Sequence, residues 1–225
     1  MNLGAHITIA AALFDDPAVH LGSALPDVAT IGGFRMVAGS GTGSVGTGIA
    51  FHHATDSVFH SHPWFTSRQK QVFDALTAAG VSRGAARASA HVGVELLLDG
   101  ELFGGEEGER RDASVGAAFA QATTVDGLES LVAYDARQQW RRHLDQLHRW
   151  SSPTYFRQPM GVARRMETIL LARPRLAMGS DDVATVAAAL EDVQPSIVDS
   201  AEAFCDEMID LLRSWRAPAD VEVGE

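Results

Sequence analysis

Apolar residues recur every three or four positions over most of the chain, and no stretch alternates apolar with polar long enough to read as a strand. The clearest run is Ile197, Ala201, Phe204, Cys205, Met208, Leu211, Leu212 and Trp215, a single stripe at helical spacing. Segments around 84 to 103, 127 to 150 and 181 to 193 are rich in Ala and Leu and poor in β-branched alternation, and they too predict helix. The pattern predicts an all-α fold, a compact multi-helix bundle. Three stretches punctuate it: Gly39 to Gly48, Gly104 to Asp112, and Ser151 to Pro159. The first, GSGTGSVGTG, lacks the lysine and hydroxyl pair of a phosphate loop, so it is expected to be a flexible connector into a helix starting near Gly48. No repeat and no internal boundary divides the chain. One helical domain is expected over residues 1–216, followed by a loose acidic tail over residues 217–225.

With 225 residues, 46% of them hydrophobic, the chain is long enough to bury a substantial core. It has no apolar run of membrane-spanning length. Its N-terminus is apolar but lacks the basic region of a signal peptide and runs directly into Asp15 and Asp16, so a cytoplasmic protein is expected. The one cysteine, Cys205, excludes an internal disulfide and sits among apolar neighbours, where a buried, inert thiol is expected. The net charge of -11 argues against a broad nucleic-acid-binding surface. That total is unevenly spread. Residues 137–175 hold nine arginines and two acids, a local charge of +7, which leaves -18 on the remainder. Such a basic segment in an acidic chain marks a docking surface for an acidic partner, or else arginines scattered over solvated helix faces.

Seven of the nine histidines fall in the first 91 residues. In a helix, His52, Asp56 and His60 stand at i, i+4 and i+8, so their side chains emerge along one face. His91, Glu95 and Asp99 repeat the spacing in AHVGVELLLDGEL, whose apolar neighbours bury the helix on most sides. Imidazole and carboxylate one turn apart are able to share a divalent ion, and buried carboxylates without basic neighbours need a cation or donors. The plainer alternative puts these carboxylates on one wet stripe. His20, His143 and His148 are isolated and are expected to be solvated or hydrogen-bonded in place; His62, before Pro63, is expected at a helix end, capping carbonyls or meeting substrate.

The opening MNLGAHITIA, the LGSALPDV around Asp27, the GIAFHHATDSVFHSHP run, the helix bearing VELLLDGEL and the ARPRL at Ala172 to Leu176 stand in the order of corresponding motifs in the acyl carrier protein phosphodiesterase family, which the chain resembles. The resemblance implies an all-helical HD-like metal-dependent phosphohydrolase that releases 4′-phosphopantetheine from holo-acyl carrier protein. It also implies a divalent cation, typically Mn²⁺, with Fe²⁺, Zn²⁺ and Mg²⁺ as alternatives. Carried over by motif, His6, Asp27, His52, Asp56, Glu95 and Asp99 are its candidate ligands. The chain departs from the family at His53, where arginine is usual, at His60, where aspartate is usual, and at Gly100, where a histidine follows the second acid. His60 and His91 are placed to compensate for that last loss from neighbouring turns.

On this reading the ion acidifies water and polarises phosphoryl oxygen. Asp27 or Asp99 accepts a proton, and His53 or His60 assists the leaving oxygen. Arg141, Arg142, Arg149, Arg164, Arg165, Arg173 and Arg175 become candidates for steering an acidic carrier protein to the site, although Arg141, Asp145 and Arg149 are also spaced to pair along one surface helix. Two further readings stand beside it: hydrolysis of another phosphoester, such as a nucleotide or phospholipid, and a non-catalytic carrier-binding relative.

Overall fold

The computed structural model describes residues 1–171, 173–179 and 181–218. Ala172 of the ARPRL motif and residues 219–225 of the expected tail lie outside the described residues. Ten α-helices are present among them: α1 (Leu3–Leu13), α2 (Pro17–Gly32), α3 (Gly43–Ser61), α4 (Pro63–Ala78), α5 (Arg83–Leu102), α6 (Gly105–Ala120), α7 (Arg137–Leu144), α8 (Pro159–Leu170), α9 (Asp182–Val198) and α10 (Ala201–Leu212). The fold is all-α. Among the described residues the only β-type pairing is an isolated bridge between Met36 and Val132, and no helix is long and apolar enough to cross a membrane.

Local chemistry sets the helix ends. Asp16 accepts from the Ala18 amide (2.9 Å) ahead of Pro17, and Gly33 closes α2 in the left-handed region at φ 75°. Ser82 accepts from the Ala85 amide at the start of α5. At the α3–α4 junction, His62 Nδ1 accepts from the Trp64 amide (3.1 Å) and Nε2 reaches Glu207. His62 therefore caps donors at the start of α4, not carbonyls at the end of α3.

Two central helices organise the core. In α1 every residue from Leu3 to Ala10 is buried, and in α5 every residue from Gly93 to Gly100. The other helices lay apolar faces on these two, except α7, which packs on α2, and the buried side chains join into one continuous cluster. Cys205 is part of it, and burial pushes its thiol up to about 12, which leaves it unreactive.

The structure departs from the sequence pattern in four places. The glycine-rich connector is shorter than expected, because α3 begins at Gly43 and takes in Gly46 and Gly48. Gly48 is closely approached by α2 there. Gly104 to Asp112 is largely the first half of α6, where Glu106 and Glu107 favour the positive helix N-terminus. The 127–150 stretch is broken into short 3₁₀ turns around the eight-residue α7. The C-terminal apolar stripe is divided between α9 and α10 by a break at Asp199 and Ser200.

Candidate metal centre

The site is assembled from α1, α2, α3 and α5, and it begins with a close helix crossing. A Cβ on Gly48 would stand 2.2 Å from the Val19 carbonyl oxygen and 2.7 Å from Gly22 Cα, so only glycine lets α2 and α3 touch there. One turn beyond the crossing, His52 Nδ1–H donates to the Ser23 carbonyl (2.8 Å). That bond fixes the tautomer and aims the Nε2 lone pair inward, the arrangement metal-ligating histidines adopt. His52 Nε2 lies 3.4 Å from Asp56 Oδ2 on the next turn.

From α1, His6 stacks on His52 with ring centroids 4.0 Å apart. Its Nε2 lies 3.2 Å from Asp56 Oδ1 and 4.0 Å from Asp27 Oδ2. Neither nitrogen of this fully buried ring has hydrogen-bond geometry to any partner, and Asp27 Oδ2 is equally unpartnered. His6, His52 and Asp56 thus offer three ligand atoms within 4.8 Å of one another. A buried histidine whose Nδ1 meets nothing and whose Nε2 has only a poorly aligned carboxylate at 3.2 Å is better satisfied by a cation, and this donor set fits one.

A second group lies one turn along α3 and one turn before Asp99 on α5. His60 Nε2 is 3.1 Å and His91 Nε2 3.2 Å from the same oxygen, Glu95 Oε1. Between the groups sits the α-ammonium of Met1, 2.8 Å from Asp56 Oδ1 and 3.0 Å from Glu95 Oε1.

The electrostatics follow from this arrangement. Burial opposes the charge on Glu95, but the Met1 ammonium, His60 and His91 hold its carboxyl well below the usual range. Asp56 is likewise held low against burial, by His6 and Met1. Burial lowers both His6 and His52, the latter to about 3, so both rings are neutral near pH 7. Asp27 goes the other way. Burial, with repulsion from Glu95 and Asp56 outweighing the attraction of Met1, raises its carboxyl well above its ordinary value.

Of the six expected ligands, the structure brings His6, His52 and Asp56 into one group, sets Glu95 in the second, and leaves Asp27 at 4.0 Å from His6 beside the first. Asp99 belongs to neither ligand group. It accepts from the Ala5 amide (3.0 Å) and from Asn2 Nδ2 (2.6 Å), so it caps the N-terminus of α1. Burial, only partly offset by these donors, raises it to about 7. His60 faces Glu95 inside the cluster. His53 is exposed, packs edge-on to His52, and lines a cleft of about 410 Å³ with Pro26, Arg35 and Ile49. Gly100 has no room for the histidine expected by resemblance, because a Cβ there would stand 2.5 Å from the Arg157 amide nitrogen and 2.6 Å from the Phe156 carbonyl carbon. His20, His143 and His148 are each held by a main-chain carbonyl, of Phe14, Val28 and Asp145 respectively.

The spacing of His91 to Glu95 places it in the second ladder, and the structure keeps that pairing. Sequence reading missed Met1, Asn2 and Gln69, which meet the site only through folding.

The arginines divide. Arg149 and Arg165 line a mostly apolar cavity of about 490 Å³, and Arg165 also joins Arg164 and Tyr155 at an adjoining cleft. Asn2, Val28 and Leu96, the chain neighbours of Met1, Asp27 and Glu95, line the same cavity. Arg141 instead donates to Glu129 (2.7 Å), and α7 ends at Leu144, so the expected pairing of Arg141, Asp145 and Arg149 along one helix does not form. Arg142 and Arg173 are exposed outside both cavities.

No family model, curated protein or solved structure matches this chain.

Proposed function

We propose that the chain is a metal-dependent phosphodiester hydrolase, acting on the phosphopantetheine linkage of an acidic carrier protein. The observation that carries the reading is the group of buried His6, buried His52 and half-buried Asp56, in which neither nitrogen of His6 makes a hydrogen bond of good geometry and His52 is held by Ser23 with Nε2 inward. These three would hold the ion, with Asp27 beside them. When bound, a divalent cation supplies positive charge against the phosphoryl oxygens and acidifies water.

The rest falls to the chain's own side chains. Asp27, with its raised proton affinity and its free Oδ2, accepts the proton of the attacking water. His53, at the rim of the 410 Å³ cleft, contacts the departing group. The apolar walls of the 490 Å³ cavity exclude water from an extended arm, while Arg149 and Arg165 receive the acidic carrier at its mouth. Those apolar walls also favour a second reading, in which the substrate is a phospholipid and not a nucleotide.

Chelator-treated protein is expected to hydrolyse a chromogenic phosphodiester once Mn²⁺ is added, and His52→Ala to remain inactive. A metal-loaded wild-type chain that cleaves no phosphodiester would refute the proposal.

A further inference from the structure

We infer that Arg35 and His53 make the 410 Å³ cleft, walled by α2, α3 and residues 34–40, a binding site for the phosphate group of an organic phosphate ester. The inference deepens the proposed function by naming the side chains that position the substrate's phosphate. That positioning role rests on the proposed reading, whereas the binding site stands on the cleft itself.

Arg35 is the only lysine or arginine in the first 67 residues of a chain whose net charge is -11. Among the described residues its guanidinium makes no hydrogen bond and no ion pair, so its whole fork of N–H donors is available. No aspartate or glutamate lines the cleft, and an entering anion therefore meets positive charge without a competing acid on the walls.

The fold holds this arginine in place from both sides. Past the end of α2 the Phe34 amide donates to the Ala29 carbonyl (2.8 Å), and the Phe34 ring packs on buried Trp140 at 5.2 Å and on His143 at 5.4 Å between centroids. Met36 pairs with Val132 in the isolated β-bridge, and the Val37 amide donates to the Leu131 carbonyl (2.8 Å). Phe34 and Met36 are half-buried, with Arg35 exposed between them. The backbone at Arg35 is thus ordered before any ligand arrives, and only the side chain loses freedom on binding.

On another wall, Ile49 and His53 stand one turn apart on α3, and the His53 ring packs edge-on to His52 at 5.3 Å between centroids. The cleft therefore reaches the metal-ligand group through His53. A phosphate presents oxygens in several directions, so a guanidinium from one wall and an imidazole N–H from another each take one, which a planar carboxylate matches less well. Phe34, Met36 and Ile49 give the organic part of an ester an apolar wall to lie on.

The test is anion protection of a single arginine. Full-length, chelator-treated protein is reacted with phenylglyoxal, which modifies free guanidinium groups, and modified peptides are quantified by mass spectrometry with and without phenyl phosphate. Phenyl phosphate is expected to protect Arg35 saturably, inorganic phosphate to do so only at higher concentration, and benzoate to do so least. Arg87, exposed on α5 outside the cleft, is expected to show no protection. In ³¹P NMR titrations, Arg35→Ala is expected to bind phenyl phosphate roughly 10- to 100-fold more weakly than wild type, with Arg35→Lys in between. Equal protection of Arg35 and Arg87, benzoate or inorganic phosphate as effective as the ester, or unchanged affinity in Arg35→Ala would each overturn the site. These measurements need neither metal nor turnover. Protection of Arg35 in a metal-loaded chain that cleaves no phosphodiester would leave the site standing without the proposed function, whereas phosphodiester turnover with unchanged kcat and KM in Arg35→Ala would do the reverse.

Discussion

The ring of His6, carried by α1, stacks on that of His52, carried by α3, at 4.0 Å between centroids and 25° between planes. Two protonated imidazoles would repel at that distance, so the stack requires that they be neutral, with lone pairs available. The ligand group grows from this contact: Asp56 reaches both rings, and Asp27 approaches His6 from α2.

Neutral burial of His52 makes stability acid-sensitive. Its ordinary value of 6.5 falls to about 3 in the folded chain. The unfolded state therefore binds the proton first, and the stability this group contributes is present above pH 6.5 and lost as pH falls toward 3. The full window is worth on the order of 5 kcal/mol. In chelator-treated protein, melting temperatures between pH 7 and pH 4 should drop less steeply for His52→Gln than for wild type.

Asp99 caps the N-terminus of α1 and lies outside both ligand groups. Asp99→Ala leaves the Ala5 amide and Asn2 unsatisfied, and is expected to cost about 1–3 kcal/mol in urea denaturation. Asp99→Asn keeps an acceptor and should leave metal stoichiometry unchanged. Loss of a bound ion in a folded Asp99→Asn protein would return Asp99 to the ligand set.

Restoring a histidine at position 100 should harm the fold. The main chain at Phe156 and Arg157 occupies the space a side chain needs. Gly100→His is expected to destabilise by about 1–3 kcal/mol or more, and an unchanged unfolding midpoint would show that the 153–157 turn moves aside freely.

Charge reversal separates the arginines by place. Arg149→Glu and Arg165→Glu, at the cavity mouth, should lower kcat/KM for an acidic carrier substrate about tenfold at low salt, with the difference shrinking as salt rises. Arg173→Glu, outside the cavities, should change it little. Equal effects at all three would mean a diffuse field and no docking surface.

Much of this centre was legible in the sequence because it depends on helical spacing. The i, i+4 relations of His52 to Asp56 and of His91 to Glu95 survive unchanged, as does the burial of α5. What was not legible depends on contacts between distant segments. Asp99 has the same spacing from Glu95 as His91 does, yet it meets the N-terminus of α1 and becomes a cap. Gly48 reads as part of a flexible linker by composition, and only the approach of α2 shows it to be a packing position. Gly100 reads as a lost ligand, whereas the turn packed against it accounts for the absence of a side chain.

The central claim is phosphodiester hydrolysis dependent on a bound divalent ion. Its most direct test is to incubate the protein with holo-acyl carrier protein and Mn²⁺ and follow the carrier by intact-mass spectrometry. The account predicts loss of the phosphopantetheine arm, giving apo-carrier, with no loss in chelator or with His52→Ala. A carrier of unchanged mass after incubation with fully metal-loaded protein would contradict it.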